Sequence, residues 1–312
     1  MSSGYKPVEC GPVRIEVSLL RSAPLRRVPA PILVLAGIAS VQTGSAVART
    51  LFAEVGATGV ALLRLTIGAL VMLVVLRPKA WTWSAKAWRA AALLAMAMAG
   101  MNVVFYLSLR SVPLGIAVTV EFLGPLLLAL VQTRRWIDLG WAVLAGGGVL
   151  LLGLDTTSGI PLTGLLLAFV AGLFWIAYIL ASAHIGTVLP GVDGLAVALA
   201  IAAVIVLPFG ASGASAVMGH PSLLLTATAV ALLSSVIPYG LELTALRELP
   251  TRVFGVLMSL QPAAAAVAGL IILNQSLQLR EVLALVMVSV ASLGVTLSSR
   301  TGQEPAPHPT LD

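Results

Sequence analysis

The chain has 312 residues, 59% of them hydrophobic and 10% charged, with 18 Lys and Arg against 12 Asp and Glu and a net charge of +6. A water-soluble domain carries about 45–50% apolar and about 25% charged residues, and a globule of this size needs a polar skin that such a composition cannot supply. At a mean hydropathy of +1.05 the solvent must be partly lipid, and the pI of about 10.1 belongs to basic loops between apolar runs rather than to the clustered basic face that binds nucleic acid.

The chain opens with a polar stretch, residues 1–30, whose short apolar run is broken by Arg14, Glu16 and Arg21. No small-residue cleavage site follows it, so it reads as a disordered cytoplasmic tail rather than a signal peptide. Cys10, the only cysteine, can make neither an intrachain disulfide nor a thiolate metal cluster.

A helix crossing the hydrocarbon needs about 20 mostly apolar residues. Ten runs qualify: 31–50, 58–76, 88–109, 112–132, 137–154, 162–182, 194–210, 222–246, 251–273 and 280–298. Pro, Gly and charge fill the gaps, and several gaps are so short that successive helices must be antiparallel neighbours. The predicted fold is therefore all-α, a polytopic membrane protein of ten transmembrane helices. Residues 299–312, with three prolines, read as a second disordered tail.

Polar groups inside these runs are the candidates for function, because charges and amides in a bilayer are costly without partners. Gln42 lies mid-way along the first run, Arg64 toward the outer side of the second, and Asn102 and Tyr106 one turn apart in the third. Glu121 falls at the middle of the fourth, too deep to snorkel, where the low dielectric penalises the charged form and lets a carboxyl group trade protons. Pro125, four residues on and on the same face, removes a backbone hydrogen bond at that depth. In the sixth run Gly164, Ala168 and Gly172 form a stripe suited to close helix packing within the chain, followed by Trp175 and Tyr178. Glu242, near the inner end of the eighth, reads as reaching cytoplasmic water with Arg247 or Arg252 as partner. Gln261 precedes Pro262 in the ninth.

Catalytic motifs are lacking. The three lysines of the chain follow no phosphate-binding glycine loop, and neither a His-Glu-x-x-His nor a Cys-x-x-Cys pattern exists to hold a metal. Gly210-Ala211-Ser212-Gly213 matches a short intramembrane-protease pattern, but His184, His220 and His308 are expected in loops or the tail, leaving Ser212 without a base. No cofactor is expected, a proton gradient being the natural energy source.

With the N-terminus inside, fourteen basic residues face the cytoplasm, while Arg49, Arg110 and Arg280 lie at outer ends and Arg64 within a span. This bias places both termini in the cytoplasm. An internal repeat appears at an offset of 137: Leu109-Arg110 falls on Leu246-Arg247, Pro113 on Pro250, Leu123 on Leu260 and Pro125 on Pro262. The chain thus divides into 31–154 and 162–298, five spans each. Because five is odd, the second half enters the membrane upside down, the inverted plan of secondary transporters. The expected partners are the bilayer and a small-molecule substrate, with monomer and homodimer both open.

Four stretches, ASVQTGSAVARTLF at 39–52, GMNVVFYLSLRSVPLGIAVTVEFLGPLLLALV at 100–131, WIAYIL at 175–180 and VIPYGLELTALRELPTRVFGVLMSLQPAAAAVAGLIIL at 236–273, resemble the drug/metabolite transporter superfamily of the type with two EamA domains. The similarity runs from the first span to the tenth. It implies a central cavity lined by both halves and proton-coupled efflux of small amino acids of the threonine and homoserine kind across the inner membrane, with broader drug or metabolite export as the alternative and a membrane-embedded non-transport protein behind it. Where amino-acid exporters of this group have Glu before the second-half proline this chain has Gln261, and where they end the ninth span in Gly-Glu it has Asn274-Gln275. Whatever those acids do in the family has moved or been lost here.

Overall fold

A computed structural model describes residues 28–133, 136–153, 160–189, 191–246 and 248–298. The two tails, most of the 154–161 loop and the Arg247 and Arg252 side chains, offered above as partners of Glu242, lie outside the described residues. Those described are all helical, without a strand: α1 Ala30–Thr50, α2 Phe52–Leu76, α3 Ala85–Ser108, α4 Leu114–Glu121, α5 Leu123–Thr133, α6 Trp136–Gly153, α7 Leu162–Val188, α8 Asp193–Ala214, α9 Pro221–Ala231, α10 Ile237–Leu246, α11 Thr251–Met258, α12 Gln261–Leu273 and α13 Leu279–Ser298. Among these residues nine stretches are long and apolar enough to cross a membrane, and Leu139–Leu152 is a shorter apolar helix.

Local chemistry explains several of the helix starts. Proline stands in the first turn of α1, α9 and α12, where its missing N–H costs nothing. The Ser84 hydroxyl accepts from the Ala87 N–H at 3.3 Å and starts α3. α2 begins at Phe52, earlier than expected, and bends one turn later at Gly56, whose φ of 70° suits only glycine. α7 runs on past 182 to Val188 and so takes in His184, while Ser212 falls in the last turn of α8; neither lies in a loop as expected. Their helices are joined at 189–192, so His184 lies by that link and Ser212 at the far end of its helix. No base reaches the serine from there.

The exterior is apolar, as lipid requires: Val74, Val131, Val143, Leu225 and Ile271 are all well exposed. Trp81, Trp88 and Trp136 are exposed near span ends, as in an aromatic belt. The interior is built by helices distant in sequence. α2 lies along α8, α3 along α7, α6 along α13, α4 on α12, and α1 against α10 and α12.

Two spans are broken. The fourth divides between α4 and α5 at Phe122, and the ninth between α11 and α12 at Ser259-Leu260. Pro125 and Pro262 lie just beyond, each removing the N–H that would bond the carbonyl four residues back, at Glu121 and Met258. The first break is seated on α7. A Cβ on Gly172 would meet the Glu121 carbonyl oxygen, and one on Gly124 would drive into the Gly172 carbonyl. A glycine on each side lets the two backbones touch. One helical turn and more away, Gly164 abuts Ser111 and Val112, and its carbonyl accepts from Ser108 Oγ at 2.9 Å. The small-residue stripe of α7 is thus an intrachain packing surface.

Gly124→Ala and Gly172→Ala should each destabilise the protein by about 1–3 kcal/mol through overpacking that backbone cannot relieve. Gly140→Ala, where a Cβ meets nothing within 4 Å, should be silent. Apparent melting temperature in detergent, followed by monodisperse recovery after heating, measures the difference.

Candidate functional site

Arg64 sits half-buried on α2 in the middle of the bundle. Its fork reaches across to the second half of the chain, with Nη2 donating to the Ser234 carbonyl at 2.8 Å and Nε to Ser235 Oγ at 3.3 Å. Its Nη1 donates to the Tyr106 hydroxyl at 3.3 Å, and its guanidinium carbon stands 5.8 Å from the centre of that ring. The acceptors on the far side come from Leu232–Val236, a π-helical turn between α9 and α10. A π turn widens the hydrogen-bond ladder and is common at functional sites. Here it turns Ser234 and Ser235 toward the guanidinium.

Tyr106 is fully buried, packed on Phe52 and Phe105 with ring centres at 5.8 and 6.0 Å. Glu121 is 8% exposed, at the end of α4 where the helix breaks. Arg64 and Glu121 are close enough for their charges to interact, yet the hydrogen bonds of the guanidinium go to Ser234, Ser235 and Tyr106, none to Glu121. A guanidinium and a carboxyl group are held in one buried region and left unbridged.

Beside them, Gln42 on α1 and Gln261 at the start of α12 meet: Gln42 Nε2 donates to Gln261 Oε1 at 2.5 Å, inside the protein. Gln42 Oε1 and Ser234 Oγ are buried without a partner. Asn102, also buried, donates to its own helix at the Met98 carbonyl, 2.8 Å away. Trp175 stands edge-on to Phe122 at 5.6 Å, against the break of the fourth span.

Tyr178 belongs to a different place. It lines a cavity of about 290 Å³ at the end of the bundle marked by the 189–192 link, together with Ser182, Tyr239 and Glu242. Tyr178 and Tyr239 both line this cavity, and Tyr239 and Glu242 share α10, which follows directly on the π turn that bonds Arg64. The candidates therefore fall into two groups, a central one around Arg64 and Glu121 and this cavity.

Ser234, Ser235 and Tyr239 were not singled out in the sequence, Gln275 was noted only as standing where relatives have an acid, and Glu242 was read as solvent-facing. The spacing Ser235, Tyr239, Glu242 puts three polar groups on one helical face and was a readable signal; the π turn was not. Gln275 has a structural task. Its Oε1 accepts the Leu114 N–H at 2.9 Å, satisfying the first turn of α4 from across the molecule. Asn274 beside it takes the left-handed conformation, φ 53°, that ends α12. Among the described residues no group of three or more His, Cys, Asp or Glu converges as a metal site.

Residues 162–297 match the EamA-like transporter family. The threonine/homoserine exporter RhtA of Salmonella typhimurium (strain LT2) is 44% identical over 274 residues, 86% of this chain and 92% of that protein. The exporter of the same name from Escherichia coli (strain K12) is 43% identical over 282 residues, 88% and 95% of the two chains. One crystal structure shares the fold at a TM-score of 0.59 and 16% identity, over 85% of this chain and 96% of the other. With relatives so similar over nearly the whole length, the chain is a multi-pass membrane protein that belongs to the EamA-like transporter family.

Proposed function

We propose that the protein is a secondary transporter that exports a small amino acid, of the threonine and homoserine kind, from the cytoplasm across the inner membrane in exchange for protons. The observation that carries this reading is the unbridged pair of Arg64 and Glu121. An amino acid brings an ammonium and a carboxylate, and neither can enter low dielectric alone. A fixed cation and an ionisable acid held apart at one point match both ends of such a zwitterion. The names of the relatives, threonine/homoserine exporter, point the same way.

Glu121 then has two exclusive occupants, a proton or the substrate ammonium. Competition between them gives antiport with no further machinery. Arg64 takes the substrate carboxylate, and the unpartnered Gln42 Oε1 and Ser234 Oγ can accept from the substrate's ammonium or hydroxyl. The cavity lined by Tyr178 and Glu242, about 290 Å³, falls just below the ~300–1,000 Å³ of ligand pockets, which favours a small metabolite over the drug-sized cargo of a broader exporter.

An inverted repeat of two five-helix halves supports alternating access. Moving α4, Leu114–Glu121, by the offset of 137 lands on α11, Thr251–Met258, and each is preceded by proline. Under the same correspondence α2 pairs with its own counterpart α8 and α6 with α13, while α3 on α7 matches α10 on α1. These pairings are what a two-fold axis in the membrane plane produces.

Glu121→Gln keeps shape and hydrogen bonding but removes ionisation, and should abolish efflux driven by an imposed pH gradient at matched expression. Undiminished proton-coupled efflux of labelled threonine or homoserine from loaded vesicles would make Glu121 structural, whereas no efflux from wild-type vesicles would suit a membrane-embedded protein without transport.

For orientation, both termini are placed inside. In a Cys10→Ser background, Met218→Cys, 80% exposed after α8, should react with an impermeant maleimide on intact cells. Lys79→Cys, between α2 and α3, should react only after permeabilisation. The opposite pattern overturns the topology and the inverted repeat with it.

A further inference from the structure

The 290 Å³ cavity is lined by α7, α8 and α10 with Leu94 of α3, and its one carboxylate is Glu242. The stem of that side chain lies over Gly37 of α1, where a Cβ would stand 3.6 Å from Glu242 Cγ, so the acid is braced by the backbone rather than waving in solvent. Among the described residues no cation and no hydrogen-bond donor engages its carboxylate. Around it are the Tyr178 and Tyr239 phenols and Ser182, each able to donate or accept. The remaining walls are Leu, Ile, Val and Gly. An acid, three hydroxyls and an apolar shell form a site for a small cation that carries further polar groups: charge-assisted bonds hold the ammonium, and phenol faces add attraction.

Position gives the site its role. It lies at the 189–192 end of the bundle, the cytoplasmic end in the topology above. Tyr239 and Glu242 sit on α10, which continues directly from the π turn whose Ser234 and Ser235 bond Arg64, so one helix joins the cavity to the central site. We propose that this cavity is the cytoplasmic loading site, in which Glu242 binds the ammonium of a small amino acid while Tyr178, Ser182 and Tyr239 hold its oxygens, before the substrate passes to Arg64 and Glu121. This rests on the export reading and adds a second carboxylate with a separate duty, capture rather than proton exchange.

The test uses inside-out vesicles, which expose the cytoplasmic face. Glu242→Gln should raise the KM for labelled homoserine about tenfold or more, the worth of one hydrogen bond to a charged group, and Glu242→Asp should recover much of it. An unchanged KM, or a loss confined to Vmax, overturns the proposal. A second measurement needs no transport. In purified protein, homoserine should slow carbodiimide modification of Glu242, read by mass spectrometry, and 2,4-dihydroxybutyrate, which lacks the amine, should not. Equal modification in all three conditions overturns the site. If wild-type vesicles move neither threonine nor homoserine, the export reading fails on its own, and protection at Glu242 still decides whether the cavity binds an amine.

Discussion

Arg64 carries a charge that no environment in the bilayer removes, since a guanidinium stays protonated in proteins. Placing it inside the membrane therefore obliges the fold to supply oxygens in a fixed geometry. They come from Tyr106 on α3 and from Ser234 and Ser235 in the π turn after α9. One side chain from the first half is thereby tied to the backbone of the second, at the level where both are otherwise apolar. The irregular turn, the buried tyrosine and the close approach of Gly44 to Ser234 all follow from that obligation.

The second constraint is steric. The fourth span can break at mid-depth only if the freed carbonyl of Glu121 is covered, because lipid offers nothing to bond it. Gly172 of α7 covers it and Gly124 lets α7 come near. The acid and the break are thus one feature: the residue that needs a polar setting stands where the backbone has been opened to provide one.

Much of the fold was legible because lipid imposes a simple code. Runs of apolar residues gave the spans, and the prolines at 113, 125, 250 and 262 gave the offset at which α4 and α11 align. Helix ends were read less well. Apolar length does not mark where a helix stops in water, so α7 was cut short before His184 and α2 begun late, after the bend at Gly56. The central residues were legible as isolated polar groups in apolar surroundings. Their partners were not, since the bond from Gln42 to Gln261 spans 219 positions and the bonds from Arg64 about 170. Glu242, read as reaching cytoplasmic water, is half-buried and lines the cavity at the 189–192 end, and the tyrosines that share that cavity come from α7 and α10, a pairing that depth along one helix does not reveal.

The bond between Gln42 and Gln261 has an evolutionary side. An amide is both donor and acceptor, so either partner can be exchanged for a carboxylic acid without losing the contact between α1 and α12. Glutamine and glutamate codons differ by a single base. The pair is thus a neutral way-station, from which an acidic residue can appear or vanish at the centre of the bundle in one mutational step while the helices stay joined. Relatives with the same architecture can in this way differ in how many titrating groups they carry, and so in the ratio of ions to cargo, without any rebuilding of the fold.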